Sequence, residues 1–251
     1  MAELERRYGQ TIGRADAGVI DEGLRAYMIR VYNYMASGVA ITGLVAYAIY
    51  AMSVVTGADG TITGLTSFGT LMYASAFKWI VIFAPLAMVF FLSFKIQSVS
   101  VGTAQMLFWL FSALMGASIS SIFLVYAGES IARVFFITAA AFGALSLWGY
   151  TTKKDISGWG SFLFMGLIGI ILASLVNLFI GSTALQFAVS VIGVLVFAGL
   201  TAYDTQQIKE MYSVNDDGTV AGKKAVMGAL RLYLDFINLF MMLLQLLGDR
   251  R

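Results

Sequence analysis

The chain has 251 residues, of which 59% are hydrophobic and only 12% are charged, whereas about a quarter of the residues in soluble proteins carry charge. This composition indicates a polytopic membrane protein. Cys and His are both missing from the sequence, which excludes disulfides, thiol chemistry, the usual zinc sites and a histidine general base. The formal net charge of +2 comes from basic residues that flank apolar segments, so no nucleic-acid partner is predicted.

The amino-terminal residues 1–30 are polar and of mixed charge, without an early apolar segment followed by a cleavage site. We interpret them as a cytoplasmic tail and residues 31–251 as a single membrane domain. The first apolar span is then expected to act as its own insertion signal.

Seven apolar segments follow, each close to the ~20 residues that a helix needs to cross a bilayer. The predicted spans cover residues 31–55, 78–94, 103–126, 134–150, 159–180, 183–203 and a last segment that includes 231–249. None shows the alternation of a barrel strand, so the predicted fold class is all-α with seven transmembrane helices. Long loops are predicted at 56–77 and 213–224.

Short-range patterns predict two kinds of polar contact within the spans. Serines such as Ser112 and Ser120 in the third span are expected to donate to carbonyls of their own helix. Glu129 and Arg133 are four residues apart at the start of the fourth span, a spacing that predicts an exposed ion pair.

The distribution of charge between the spans predicts the topology. Most basic residues of the connections lie on the side of the amino-terminal tail, which places the amino terminus in the cytoplasm. Seven complete crossings put the carboxyl terminus, residues 249–251, on the outside. A re-entrant last segment with both ends inside is the alternative.

The last span carries a polar face within an otherwise apolar helix. Arg231, Asp235, Asn238, Gln245 and Asp249 share this face at helical spacing. A lipid-facing charge near the bilayer centre costs at least ~2.5 kcal/mol, so these side chains are expected to face protein or water. We therefore predict the functional site here.

Asp204 and Asp235 are the predicted centre of that site. Asp204 ends the sixth span and Asp235 lies about six residues, or ~9 Å, into the seventh, so the two carboxylates could meet at similar depth. Both cannot ionise cheaply in a low dielectric, and the pair is expected to hold a proton and act as a proton-sensitive latch that Arg231 biases.

The same carboxylates could attract a hard cation. Calcium takes six to eight oxygen ligands, so Asn238, Gln245, backbone carbonyls or water would have to complete any calcium site at Asp204 and Asp235. The alternative is that Asp204 only caps its helix in water while Asp235 pairs with Arg231.

Four sequence blocks resemble signatures of the Bax inhibitor-1 family, in its bacterial branch. They are Ala-Tyr-Asp-Thr-Gln-Gln-Ile-Lys at 202–209, Leu-Tyr-Leu-Asp-Phe-Ile-Asn-Leu-Phe at 232–240, and the segments 131–143 and 149–155. The resemblance covers nearly all of the chain after the tail. It implies a seven-helix fold in which the last helix is central and wrapped by the other six, in the bacterial inner membrane.

The resemblance also implies a function. Family members form a pH-sensitive calcium leak whose closed state is latched by a pair of aspartates, matched here by Asp204 and Asp235. Calcium is then the transported ion and no cofactor is expected. Calcium-leak members carry an arginine in the second span, where this chain has only the flanking Lys78 and Lys95.

Two other hypotheses remain open. Some bacterial relatives bind and modulate a membrane-bound ATP-dependent protease, so a non-transporting regulator with such a partner is the main alternative. An intramembrane aspartyl protease is the least favoured, because Asp235 follows Leu-Tyr-Leu rather than Gly-x-Gly and, with Pro85 the only proline, no Pro-Ala-Leu element exists. The prediction is a protein in the bilayer that is not an enzyme.

Overall fold

The computed structural model describes residues 2–57 and 61–251, with side chains from Glu22 onwards. The side chains of the predicted tail up to residue 21 lie outside the described residues. Within the described part, seven helices are long and apolar enough to cross a membrane, which confirms the all-α polytopic fold.

The described part of the chain forms seven long helices with short elements between them. The seven long helices are α1 (Ala2–Ser53), α3 (Phe77–Lys95), α4 (Val101–Ile119), α6 (Gly128–Thr151), α7 (Trp159–Ile180), α8 (Thr183–Glu210) and α9 (Gly218–Leu247). The short elements are β1 (Val54–Thr56), β2 (Ile62–Leu65), α2 (Ser67–Gly69), a π-helical turn at Thr70–Ala74, and α5 (Ile122–Val125).

Helix α9 forms the centre of the bundle. Half of the residues in its apolar 18-residue stretch are buried (50%), compared with 11–33% in the corresponding stretches of the other six long helices. It packs mainly against α1, α4, α6 and α8, while α3 packs against α4 and α7 against α8. The central position of the last helix is therefore confirmed, although four helices rather than six form its main surroundings.

The two ends of α9 lie at opposite faces of the bundle. At its amino end, Lys223 Nζ donates to the carbonyl oxygen of Gln97, in the connection between α3 and α4, at 2.8 Å. Past its carboxyl end, the carbonyl oxygen of Asp249 accepts from the backbone N–H of Ala127, between α5 and α6, at 3.0 Å. We call the face that contains Lys223 and Gln97 the near face, and the face that contains Asp249 and Ala127 the far face. Helix α9 thus crosses the bundle completely, and the re-entrant alternative is wrong.

The carboxyl-terminal residues provide Arg133 with a different partner from the one that the sequence predicted. Arg250 forms an isolated antiparallel bridge with Tyr126, and Ser130 Oγ accepts from the backbone N–H of Asp249 at 2.8 Å. These contacts bring Asp249 Oδ2 within 2.8 Å of Arg133 Nη2. The predicted pair of Arg133 with Glu129 is therefore wrong, because a distant part of the chain supplies the carboxylate.

The connections are more ordered than the sequence analysis expected. Residues 56–77 contain most of an antiparallel hairpin of β1 and β2 followed by two helical turns, in place of the predicted loop. The predicted loop 213–224 ends early, because Asp217 Oδ1 accepts from the backbone N–H of Val220 at 2.7 Å and starts α9 at Gly218.

Two other predictions concern α1 and α4. Helix α1 is already buried in the bundle at Tyr27 and Met28, within the predicted tail of residues 1–30. In α4, Ser112 Oγ donates to the carbonyl oxygen of Phe108 at 2.9 Å, and Ser120 Oγ donates to that of Ala117 at 2.7 Å. The expected bonding of these serines to their own helix is confirmed.

Gly149 of α6 allows close approach to α8, and its substitution should destabilise the bundle. A Cβ atom at Gly149 would collide with the carbonyl oxygen of Ala202. We expect Gly149→Ala to lower the free energy of unfolding by about 1–3 kcal/mol through overpacking, measured by denaturant titration in mixed micelles. Gly143→Ala is the control, since a Cβ there meets nothing within 4 Å. Equal losses in the two variants would contradict this account.

Candidate functional site on the central helix

Asp204 and Asp235 meet between α8 and α9. Asp204 is half-buried, Asp235 is buried, and their carboxyl groups are close enough to interact directly. An ionised carboxylate only accepts hydrogen bonds, so the two groups can share a hydrogen bond only when one of them carries a proton. The structure therefore brings together the two acidic side chains that the sequence singled out.

Asp235 lies much deeper in its helix than the sequence suggested. It is 17 residues beyond Gly218, or about 25 Å along the axis, rather than six residues into the span. The two aspartates still lie at the same depth, because the first turns of α9 extend further towards the near face than the end of α8 does. Lys224 Nζ, in the second turn of α9, donates to the carbonyl oxygen of Met211, just past α8, at 2.9 Å.

The carboxyl groups of Asp204 and Asp235 have few hydrogen-bond donors around them. Asp235 Oδ2 is buried and has no hydrogen-bond partner among the described residues. On α8, the hydroxyls of Thr201 and Thr205 donate to their own helix carbonyls, each at 2.7 Å. Neither threonine hydroxyl is therefore available to donate to the carboxyl pair.

Arg231 lies beside the pair without binding it. It is exposed, one helical turn from Asp235, and close enough to attract both carboxyl groups electrostatically. Within the described chain it forms no ion pair and donates no hydrogen bond. The alternative in which Arg231 pairs with Asp235 and leaves Asp204 in water is therefore wrong.

Asn238 and Gln245 lie apart from the aspartates, in two adjoining cavities between α7, α8 and α9. Asn238 lines a cavity of about 430 Å³, and its Nδ2 donates to the carbonyl oxygen of Leu234 at 2.8 Å. Gln245 lines one of about 390 Å³, and its Oε1 accepts from Ser190 Oγ at 2.7 Å. The two cavities have Ser174, Leu178 and Met242 in common. Together they form a groove that runs from the far face towards Asn238.

The site offers few ligands for a resident metal ion. Among the described residues, no three acidic side chains converge to hold one. The carboxyl groups of Asp204 and Asp235 contribute at most four oxygens, fewer than calcium prefers.

Two polar contacts near the site escaped the sequence analysis. Tyr32 OH lies 2.8 Å from Ser146 Oγ, which lies 2.9 Å from Thr205 Oγ1, so a hydrogen-bonded chain joins α1 and α6 to the residue after Asp204. Tyr233 OH lies 2.6 Å from Thr42 Oγ1 in the core. Hydroxyl residues are common in membrane helices, and no local pattern marks these as partners across more than fifty residues.

Comparison with known proteins gives consistent matches. The family model described as "Inhibitor of apoptosis-promoting Bax1" matches residues 24–251. Inner membrane protein YbhL of Escherichia coli K12 is 50% identical over 233 residues, covering 91% of this chain and 94% of the relative. An uncharacterized protein of Rickettsia prowazekii is 46% identical over 231 residues, covering 92% of each chain. One from Caulobacter vibrioides is 44% identical over the full length of both chains. These descriptions point to a membrane protein rather than an enzyme.

Proposed function

This chain belongs to the Bax inhibitor-1 family of membrane proteins, and from that premise we propose that it is a pH-sensitive calcium leak of the bacterial inner membrane, gated by Asp204 and Asp235. The observation that carries the proposal is the contact of the two carboxyl groups between α8 and α9, in the core of the bundle. In this proposal the near face is cytoplasmic, as is the amino terminus, and calcium is the transported ion.

The protonation of the pair acts directly on the contact between α8 and α9. With one proton the two carboxyl groups attract each other, whereas two ionised groups in a low dielectric repel strongly. Removal of the proton therefore pushes the helices apart, and a divalent cation that enters between Asp204 and Asp235 replaces the lost positive charge. Arg231 competes for the same carboxylates and sets the pH at which the pair changes state.

The position of the pair along the groove supports a gate. The groove lined by Gln245 and Asn238 reaches from the far face to a point three residues, or about 4.5 Å, from Asp235 along α9. Arg231, one turn in the opposite direction, is already exposed. Separation of α8 and α9 at Asp204 would join the groove to the near face, with Asn238 and Gln245 as ligands along the path.

The proposal is tested by calcium flux in liposomes that contain the purified protein, measured with an enclosed calcium dye between pH 5 and 8. Wild-type flux is expected to change with pH, and the change is expected to disappear in Asp204→Asn. Asp155→Asn is the matched control, because hydrogen bonds from the side chain and backbone of Ser157 hold the pKa of Asp155 below its ordinary value. Asp155 is therefore ionised throughout this range, and its replacement should leave the pH profile unchanged.

Other outcomes favour the other hypotheses. A wild-type protein that is impermeable to calcium at every pH would rule out the leak and favour a regulator that binds a membrane-bound protease. Cleavage of a membrane substrate, lost in Asp204→Asn and retained in Asp155→Asn, would favour an aspartyl protease.

A further inference from the structure

An apolar cavity of about 750 Å³ lies between α1 and α6, on the side of the bundle. Its floor includes Phe142 and Phe236, the latter from the central helix, and both are buried. Its rims include Ile29 of α1 and Leu147 of α6, which are 47% and 62% exposed. The cavity is thus a lateral groove that opens towards the bilayer rather than towards water.

The groove is empty of protein along α6. A Cβ atom at Gly143, which lines it, would meet nothing within 4 Å. Its volume falls within the range of about 300–1,000 Å³ that is typical of sites for small molecules. Water would find few polar partners on such a wall, so the occupant that matches it chemically is a hydrocarbon chain.

One end of the groove is positively charged. Arg25 lines it at the near face and forms no ion pair with the rest of the described chain. Tyr150 lines the same end, and its carbonyl oxygen accepts from Lys209 Nζ at 2.9 Å, which brings a second cation close by. A guanidinium with free donors, with an ammonium group at the same end of the cavity, is suited to a phosphate.

The length of the groove matches one leaflet. From Arg25 to Ala40, both of which line it, α1 rises about 22 Å. Half of the hydrocarbon core is about 15 Å thick, and the headgroup layer adds several ångströms. We propose that the groove between α1 and α6 binds one anionic phospholipid of the near-face leaflet, with its phosphate at Arg25 and one acyl chain extending to Ala40.

Native mass spectrometry of the full chain, released from bilayers of equal parts phosphatidylglycerol and phosphatidylcholine, tests this proposal. The wild-type protein should retain one phosphatidylglycerol molecule after the other lipids dissociate. Gly143→Phe fills the groove and should lower that retained fraction about tenfold or more. Gly169→Phe is the matched control, because Gly169 on α7 is also open around its Cβ position but lies outside the groove.

Arg25→Gln tests headgroup recognition separately from the fit of the acyl chain. Arg25 is exposed, so its replacement leaves the core unchanged. This variant should still retain one lipid but should lose the preference for phosphatidylglycerol over phosphatidylcholine. The proposal is overturned if the wild-type protein retains no lipid, if Gly143→Phe and Gly169→Phe behave alike, or if the preference survives in Arg25→Gln.

Discussion

Asp235→Asn is expected to give a calcium flux that stays low and no longer changes with pH. The introduced amide can donate to the carboxylate of Asp204 without any added proton. A hydrogen bond to a charged group contributes about 1.5–3 kcal/mol, enough to shift a two-state equilibrium by about tenfold or more. The closed contact between α8 and α9 should therefore persist at every pH in the liposome assay.

The comparison with Asp235→Ala makes this prediction specific to the hydrogen bond. Alanine removes the carboxyl group, leaves Asp204 without its partner and creates a cavity beside it, so the helices lose the contact that closes the path. Flux should then be high and again independent of pH. If both variants give the same flux, or if either keeps the wild-type pH profile, the pair does not gate the ion path.

Tyr233→Ala is expected to cause the largest loss of stability, about 3–5 kcal/mol, by analogy with other large aromatic residues truncated in cores. Tyr233 is fully buried on α9, and its ring packs edge-on against Phe108 and Phe111 of α4, with centroids 5.8 and 5.4 Å away. Truncation leaves a cavity where α4 and α1 meet the central helix. Denaturant titration in mixed micelles measures the loss, and Phe179→Ala on the lipid-facing side, 87% exposed, is the control.

The hydroxyl of Tyr233 should contribute far less than its ring. Thr42 Oγ1 lies 2.9 Å from the carbonyl oxygens of Gly38 and Ser112, and its single proton can satisfy one of them. With that proton engaged, the Tyr233 hydroxyl is the donor in its 2.6 Å contact with Thr42. Tyr233→Phe removes one hydrogen bond and leaves Thr42 bonded to a carbonyl, which should cost about 1 kcal/mol. A loss in Tyr233→Phe as large as in Tyr233→Ala would show that the hydroxyl, rather than packing, holds α9 in place.

The sequence predicted those features that local pattern determines. The fifth span coincides with α7 because an apolar run between two polar turns has the length of a bilayer crossing. Asp235 was found for a similar reason, since a charge within an apolar helix is costly and must be compensated. Its partner followed from the antiparallel order of two consecutive spans.

The features that were missed depend on pairs of distant segments. The Arg133 to Asp249 contact joins residues 116 positions apart, and the chain from Tyr32 through Ser146 joins residues 114 apart. The groove between α1 and α6 likewise reflects how two helices diverge, which neither helix encodes alone. The β1–β2 hairpin has a local signal in its β-branched residues, Val54, Val55, Ile62 and Thr63. Val54 and Val55 also continue the apolar run of the first span, so the hydrophobic pattern predicts a helix there.

The central position of α9 has a consequence for biosynthesis. The ribosome delivers the chain from its amino terminus, so the six other long helices enter the membrane before α9 has been translated. Until then, Thr42 and Asp204 lack the side chains of Tyr233 and Asp235 that they contact in the finished bundle. The earlier helices are therefore in the bilayer before their central partner is present. Insertion of α9 then forms the contacts of Thr42 with Tyr233 and of Asp204 with Asp235, and it completes assembly of the bundle.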